Sequence, residues 1–329
     1  MNYLISISRF FIFLFVSQLS AQQIDSTYAE IQKFKIDDEI TYGYKKPTTW
    51  QMVKYVPNDL EALGKFTIQK ENLKWTALTL GSTLALIPYD QKILDDAGQF
   101  GEKLGGWDED AQYDKVFGVF RIVPKNIPSA VYYIGNGGTT MLLSGMFYAI
   151  GKIGKDDYRA LNTSNELIEV LISVGVTTQI IKRITGRQSP SAAIRDGNSG
   201  GDWNVFPSFN DFHKNTPDYD AMPSGHLATY IATVTVIGTN YPEIKWIKPV
   251  GYSLGSLLAF NMVSGKVHWT SDYPIAVLIG FAMGKTIANR RIIKEKPYSK
   301  VSEYKTKYKL DYSFNRINSY NIAGLTLSF

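Results

Sequence analysis

The chain has 329 residues, of which 44% are hydrophobic and 20% are charged, and this composition excludes an intrinsically disordered protein. It contains no cysteine, which excludes disulfide bonds and any catalysis or metal binding by thiolates. The formal net charge of +5 is a mild excess that suits an anionic surface or an anionic substrate. The length is sufficient for one large domain or two small ones.

The N-terminus has the pattern of a cleaved secretory signal. Arg9 precedes the apolar run "FFIFLFV", which is followed by "SQLSAQQ" with the small residue Ala21. Basic, apolar and small residues in this order are typical of a signal peptide, and the apolar run is short for a membrane anchor that is retained. We therefore predict a signal peptide over residues 1–21 and an exported, periplasmic protein.

The middle of the chain predicts an all-α fold. Residues 22–72 are polar and mixed, and we expect an N-terminal extension of loops and short extended pieces there. Six apolar stretches follow over residues 73–292 and predict a helical bundle of about six core helices. They cover residues 73–89, 127–153, 165–184, 224–239, 247–263 and 273–292.

The relation of these helices to a membrane stays open in the sequence. Most of their charge-free runs are shorter than the roughly 20 residues that a membrane span needs, and the longer run 126–151 is interrupted by "GNGG". They could form a compact water-soluble bundle or a shallow membrane-embedded one. We expect an exported bundle that contacts a membrane surface.

The tail over residues 293–329 changes character. Tyr308, Leu310 and Tyr312 alternate with polar residues, and a similar alternation continues around Ile322 after a short polar link. A period of two on both sides of such a link predicts a β-hairpin. We expect this small C-terminal hairpin to pack on the surface of the helical domain.

The tetrapeptide "PSGH" opens the fourth apolar stretch. Ser224 is a suitable N-cap, which places Gly225 and His226 in the first helical turn. The free N–H groups of that turn and the positive end of the helix dipole form an anion site, and Gly225 allows an oxyanion to approach the backbone. A histidine there could donate a proton to the leaving oxygen of a bound anion. Taken alone, the tetrapeptide more often marks an ordinary capped helix.

Two further segments strengthen the functional interpretation. In "GKVHWTSDYP", His268 and Asp272 lie four residues apart, so Asp272 could orient the imidazole and stabilise its positive form. His268 could then attack with its other ring nitrogen. In "IIKRITGRQSP", Lys182 follows an apolar run and could extend a positive charge into a cleft. The alternative for His268 and Asp272 is an ordinary surface contact. The alternative for Lys182 is a helix C-terminus, where basic residues are common because they complement the helix dipole.

These three segments, in their order along the chain, resemble the motifs of the type-2 phosphatidic acid phosphatase and vanadium haloperoxidase superfamily. The motifs of that family are Lys, six residues, Arg-Pro; then Pro-Ser-Gly-His; then Ser-Arg, five residues, His, three residues, Asp. The resemblance covers roughly residues 73–292. It implies that His268 is the nucleophile, that Asp272 orients it and that His226 is the general acid. It also implies that Lys182, the Ser224 hydroxyl and the Gly225 N–H bind the phosphoryl oxygens.

Two departures from the family pattern matter for phosphate binding. Ser189 and Met262 stand where the family has arginines, which normally neutralise phosphate oxygens by bidentate hydrogen bonds. Arg187, Arg195 and Lys266 are the candidate replacements. We favour Arg187 because it lies closest in sequence to the lost position, and we expect it to bind phosphate.

The resemblance implies a phosphatase that hydrolyses a phosphomonoester or a pyrophosphate through a phosphohistidine. This chemistry needs no metal and no other cofactor, and the acidic residues 108–110 are interpreted as a solvated loop. Export and short apolar helices favour a lipid-linked phosphate, with a soluble acid phosphatase of broad specificity almost equally favoured. A vanadate-dependent haloperoxidase and a non-catalytic envelope protein that binds anionic lipid are the alternatives. We expect a phosphorylated small molecule or lipid as substrate and no nucleic-acid partner, and the sequence indicates no particular protein partner.

Overall fold

The computed structural model describes residues 30–108, 110–116, 120–154, 156–295, 309–317 and 320–328. Helices make up 67% of the structure, which confirms the prediction of a mostly helical fold with a small C-terminal β element. The predicted signal peptide lies outside the described residues.

The helices are α1 (Gln51–Lys54), α2 (Val56–Ile68), α3 (Leu73–Leu86), α4 (Asp90–Lys103), α5 (Ile127–Ile134), α6 (Gly137–Ile153), α7 (Tyr158–Thr185), α8 (Pro190–Asp196), α9 (Phe209–Lys214), α10 (Gly225–Asn240), α11 (Ile247–Ser264) and α12 (Tyr273–Arg291). Short 3₁₀ helices cover Ile87–Tyr89, Thr216–Asp218 and Thr270–Asp272. The strands are β1 (Ile31–Lys35), β2 (Thr41–Lys45), β3 (Tyr113–Val116), β4 (Phe120–Pro124), β5 (Ile293–Glu295), β6 (Lys309–Ile317) and β7 (Tyr320–Ser328).

Helices α10 and α12 pack closely at the centre of the bundle. A Cβ atom at Gly280 would lie 2.4 Å from the Ala228 carbonyl oxygen, and one at Gly284 would lie 2.7 Å from that of Ala232, so both contacts require glycine. Residues 228 and 232 meet residues 280 and 284 in the same order, so the two helices run parallel. They therefore begin on the same side of the bundle, where the two histidine motifs lie.

Helix α7 brings the first motif to the same region. It covers 28 residues and ends at Gly186, whose φ of 53° is in the left-handed region that glycine tolerates. A Cβ atom at Gly186 would lie 1.8 Å from the Asn204 carbonyl oxygen, so no other residue fits this turn. The turn ends the helix just after Lys182 and directs Arg187 back into the protein.

The predicted helix limits differ from the observed ones in three places. The predicted helix 127–153 is two helices, because Asn136 accepts a hydrogen bond from the N–H of Gly138 and caps a new helix. Helix α7 begins earlier than predicted because Asp157 caps it through the N–H of Ala160. Helices α2 and α4 were missed. Both carry many polar residues, but α4 buries Leu94 and Gly101 on one face.

Two small sheets accompany the helices, and neither was predicted. Strands β1, β2 and β5 form an antiparallel sheet, so residues from both ends of the helical region pair with each other. Phe34, Tyr42, Tyr44, Tyr158 and Ile292 form a separate apolar cluster under this sheet. Strands β3 and β4 form a hairpin between α4 and α5.

The C-terminal hairpin was predicted correctly. Strand β6 pairs antiparallel with β7, and Ile317 and Tyr320 form the last pair before the turn. In the part of the chain that the structure describes, no helix combines the length and the apolar character needed to cross a bilayer.

Candidate active site

The "PSGH" segment forms the start of α10, as predicted. The buried Ser224 hydroxyl accepts a hydrogen bond from the N–H of Leu227 at 3.3 Å, which caps the helix. A Cβ atom at Gly225 would meet only the Thr178 hydroxyl, at 3.8 Å. The first turn of α10 is therefore accessible to a small ligand, and His226 lies within it.

His268 and Asp272 lie in the turn and the 3₁₀ helix that precede α12. The Nδ1 atom of His268 lies 3.4 Å from Oδ2 of Asp272, and both side chains are buried. The predicted spacing thus places the two groups together, although in a turn and not on an α-helix. The same carboxylate oxygen accepts a hydrogen bond from the N–H of Trp269 at 2.9 Å. Within the described residues His268 Nδ1 makes no hydrogen bond, and such contacts often tighten only when substrate binds.

The two histidines converge in space although they are far apart in the sequence. The centroids of the His226 and His268 rings are 6.3 Å apart, with an angle of 67° between the ring planes. The backbone joins their segments, since the N–H of Ser224 donates to the Asp272 carbonyl oxygen at 3.4 Å. A phosphoryl group that lies between the rings could therefore contact both.

The electrostatics of the site act on His226. Burial, together with the smaller effects of the neighbouring His268 and Lys182, lowers the pKa of His226 to about 4. Lys182 is itself buried, and its Nζ lies 3.4 Å from a carboxylate oxygen of Asp220. Lys182 thus provides the positive charge that we predicted beside the histidine pair.

Arg187 does not lie where we expected it. Its side chain is fully buried, and one amino group donates to Asp272 at 2.7 Å and to the Ser271 hydroxyl at 2.6 Å. The other amino group donates to Asp90 at 2.6 Å. Because both amino groups are engaged away from solvent, the expectation that Arg187 binds phosphate was wrong. Its contacts make it a positioning residue that holds the carboxylate of Asp272 beside His268.

The two residues that replace the family arginines have structural roles. Ser189 caps α8 by accepting a hydrogen bond from the N–H of Ala192 at 3.4 Å. Met262 is fully buried, and its sulfur lies 3.9 Å from the Ser224 hydroxyl oxygen. A neutral thioether therefore lies beside the helix N-terminus where the family has a guanidinium group.

Lys266 remains a candidate replacement for the missing arginines. The carbonyl oxygen of Lys266 accepts a hydrogen bond from the N–H of Ser191 at 3.1 Å, which places it near the start of α8. Its side chain is exposed and forms no ion pair with any described residue. Arg195, by contrast, pairs with Asp196 and with Asp218 at 2.6 Å on the surface.

A cavity of about 260 Å³ adjoins the histidine pair. It was not predicted from the sequence. Tyr132 lines it and packs against His226 with ring centroids 5.1 Å apart, and Val267 lines it directly before His268. The other lining residues are Asp110, Ala111, Tyr113, Pro128, Asn261 and Gly265. Asp110 is exposed in a loop, in line with the prediction, and also lines this cavity. Among the described residues no group of histidine, aspartate and glutamate side chains could hold a metal ion.

The comparison with known families agrees with this geometry. The fold and the site define a helical bundle in which His226 and His268 lie close together near the starts of two parallel helices, with Lys182 beside them. Residues 165–292 match the family model described as the PAP2 superfamily, which confirms the resemblance over the segment that contains all three motifs. That superfamily supports a phosphatase or haloperoxidase type of activity. Searches of curated proteins and of solved structures found no significant match.

Proposed function

We propose that this protein is a phosphatase that hydrolyses a phosphomonoester or a pyrophosphate through a phosphohistidine intermediate on His268. The observation that carries the proposal is the 6.3 Å separation of the His226 and His268 rings at the N-terminus of α10. That separation leaves room for one tetrahedral anion that both rings contact. Phosphoryl transfer depends mainly on positioning and charge stabilisation, and this arrangement supplies both.

The first half-reaction forms a P–N bond and breaks a P–O bond. Nε2 of His268 attacks phosphorus, and the leaving alkoxide or phosphate oxygen takes a proton from His226. Asp272, held by Arg187, stabilises the positive charge that develops on the His268 ring. Lys182, the Ser224 hydroxyl and the N–H groups of the first turn of α10 stabilise the negative oxygens.

The second half-reaction regenerates the enzyme. Water attacks the phosphohistidine and gives a proton to His226, the P–N bond breaks, and inorganic phosphate leaves. His226 must be protonated at the start of each cycle, yet its pKa in the empty site is lowered to about 4. A bound phosphate dianion opposes that shift, because its charge stabilises the imidazolium form. Substrate binding therefore prepares the general acid.

We further propose that Lys266 replaces part of the charge of the missing arginines. It is the exposed cation beside α8 that has no carboxylate partner among the described residues. A single flexible ammonium group gives weaker and less directional stabilisation than two guanidinium groups. The expected enzyme is therefore slower than a family member with both arginines.

A lipid-linked substrate at the periplasmic membrane face is part of the proposal. Its support is the predicted signal peptide together with the apolar surface, since Trp75, Leu78 and Leu84 on α3 are largely exposed. An apolar groove of about 360 Å³ also begins beside the site, where Leu227 and Tyr273 line it. A hydrocarbon chain that extends from a phosphate between the histidines could lie in that groove.

The test is a phosphate-release assay on the purified protein that lacks residues 1–21. A panel of phosphomonoesters and pyrophosphates is offered with and without a chelator, beside the His268→Ala variant and the matched control His213→Ala. His213 is exposed on α9 and contributes nothing to the site. We expect activity that survives the chelator, disappears in His268→Ala and remains in His213→Ala.

Other results would redirect or end the proposal. Activity that a chelator removes would overturn the metal-independent mechanism. Halide oxidation after addition of vanadate, without phosphate release, would instead identify a haloperoxidase. Equal activity of His268→Ala and the unmodified protein would exclude the phosphohistidine.

A further inference from the structure

The cavity of about 260 Å³ beside the histidine pair has a distinctive lining. It combines one carboxylate, Asp110, with the aromatic side chains of Tyr113 and Tyr132 and the amide of Asn261. Tyr132 connects this lining to the site, because its ring lies 5.1 Å from that of His226. A group bound here would be a few bonds away from a phosphate held between the histidines.

Several of these polar groups have no protein partner. The Asp110 carboxylate forms no ion pair, and the Tyr132 hydroxyl and the Asn261 amide form no hydrogen bond with any described residue. Neighbouring groups differ in this respect. Asp114 pairs with Lys125 at 3.3 Å, and the Tyr113 hydroxyl donates to the Ser129 carbonyl at 3.1 Å. The unpartnered groups are therefore available to a ligand.

The charges around the site are unusual for a phosphate-binding centre. Lys182 and Arg187 are the cations of its interior, and four carboxylates lie around them, on Asp90, Asp110, Asp220 and Asp272. Asp220 and Asp110 both act on the Tyr132 ring, since their negative charges add to burial in raising the pKa of its hydroxyl. The exposed Lys266 offsets only part of this excess. Asp90, Asp220 and Asp272 are paired with Arg187 or Lys182, so the carboxylate left without a partner is Asp110 in the cavity.

We infer that this cavity binds a cationic group of the substrate, so that the preferred substrate is a phosphomonoester whose alcohol carries an ammonium group a few bonds from the phosphate. This inference rests on the proposed phosphatase function and narrows its substrate class. Asp110 neutralises the ammonium group, and the rings of Tyr113 and Tyr132 stabilise it by cation–π attraction. The Asn261 amide and the Tyr132 hydroxyl bind polar groups of the substrate that lie next to its ammonium group.

The size of the cavity supports a small group. Pockets for drug-sized ligands have volumes of about 300–1,000 Å³, and this cavity of about 260 Å³ is smaller. It can hold an ethanolamine or a choline moiety, whereas a hydrocarbon chain would be placed in the separate apolar groove. Free and lipid-borne amino alcohol phosphates share this chemistry.

The test compares kcat/KM for phosphoethanolamine and phosphocholine with that for ethyl phosphate, which has the same leaving oxygen but no cation. We expect the unmodified protein to prefer the cationic esters by roughly tenfold. In Asp110→Asn the ratio of kcat/KM values should fall to about one, since the neutral amide cannot balance an ammonium group. The matched control Asp114→Asn removes an exposed carboxylate outside the cavity and should keep the preference.

A lipid arm distinguishes the two sources of the substrate. Phosphate monoesters of a long-chain amino alcohol and of the matched long-chain alcohol are presented in neutral phosphatidylcholine vesicles. A larger cationic preference in vesicles than in solution assigns the ligand to a lipid, and an equal preference assigns it to a free metabolite. Either result supports the cationic cavity.

The inference and the proposed function can fail separately. A ratio near one in the unmodified protein, a preference that survives Asp110→Asn, or a preference for glycerol phosphate over phosphoethanolamine would overturn the inference. If no ester is hydrolysed, the phosphatase proposal fails, and NMR titration with choline, which carries no phosphate, decides the cavity. Choline binding that Asp110→Asn removes and Asp114→Asn keeps supports the inference, and absence of choline binding overturns it.

Discussion

Two buried ionic networks lie at opposite ends of α12, and they differ in what their carboxylates hold in place. The first, at the start of the helix, joins Arg187 to Asp90 and Asp272. The second, at its end, joins Arg290 and Arg291 to carboxylates of α2 and α7. The helix has 19 residues, which separates the two networks by about 28 Å.

The first network is compact and surrounds one guanidinium group, whose two amino groups are hydrogen-bonded and whose Nε atom has no partner among the described residues. Asp90 also accepts hydrogen bonds from the N–H of Ser271, at 3.0 Å, and from the hydroxyl of the same residue. Every carboxylate in it therefore contacts a donor, and the Asp272 carboxylate is fixed beside His268. Burial of charge is costly, and here it positions a group that acts on the candidate nucleophile.

The second network, like the first, has one carboxylate more than it has arginines. Asp59, Glu166 and Glu169 share two arginines, and Arg291 lies 3.8 Å from Glu166 without a hydrogen bond. Burial raises the pKa of Glu166 to about 8 and that of Glu169 to about 7. This network joins α2 to the central helices but touches no residue of the candidate site. The comparison teaches that buried charge holds a group of the candidate site at one end of α12 and joins helices at the other.

The largest expected effect is that of Asp272→Asn on turnover. The amide cannot stabilise an imidazolium ion, so kcat should fall about 10³-fold or more while the protein remains folded. Glu169→Gln in the second network is the counterpart and should leave kcat unchanged. Steady-state phosphate release measures both variants. A loss of less than tenfold in Asp272→Asn would remove the carboxylate from the mechanism.

The next effect compares the arginines of the two networks. Arg187→Met and Arg290→Met each leave buried carboxylates unpaired, so each should lower the free energy of unfolding by about 3–5 kcal/mol. Only Arg187→Met should also change the reaction of the folded protein, with a fall in kcat larger than the rise in KM. Urea unfolding and steady-state kinetics at low temperature provide the two measurements. If KM for phosphate esters rises steeply while kcat stays constant, Arg187 contacts the substrate after all.

The smallest effect is the dependence of stability on pH, which comes from the second network. Because the folded pKa of Glu166 is raised to about 8, the folded state binds more protons than the unfolded state above the ordinary glutamate pKa. The resulting stabilisation is fully present below pH of about 4.5 and is lost as the pH rises to about 8.

Glu166→Gln isolates this contribution. We expect the free energy of unfolding to change with pH less steeply in the variant, by an amount on the order of a few kcal/mol between the two limits. Urea titrations at a series of pH values measure it. Parallel pH curves for the variant and the unmodified protein would show that Glu166 does not contribute to the pH dependence of stability.

Much of the candidate site followed from local patterns. Ser224 as an N-cap, His226 in the first turn and the proximity of His268 to Asp272 depend on residues within four positions of each other. The backbone conformation of such short segments fixes their geometry. The position at which α7 ends, at Gly186, likewise depends on residues that are neighbours in the sequence. The terminal hairpin likewise follows from an alternation with a period of two.

The remaining features depend on contacts between distant residues. Arg187 was expected at the phosphate because it is close in sequence to the lost arginine, yet its partner Asp90 lies 97 residues away. Nothing in the local sequence around Asp90 indicates that contact. The sequence around Tyr132 and Asp110 did not indicate that they line a cavity either, because a tyrosine in a helix and an aspartate in a loop are common. Helices α2 and α4 were missed because packing, and not strong apolar periodicity, stabilises them.

The sequence by itself determined the order of the helices, their caps and the residues that can carry phosphoryl chemistry, since these depend on neighbours along the chain. Only the tertiary structure decided which buried charges pair, since pairing requires desolvated groups to meet across helices. The glycine contacts between α10 and α12 bring the two imidazoles together, and the Gly186 turn directs Arg187 toward Asp272.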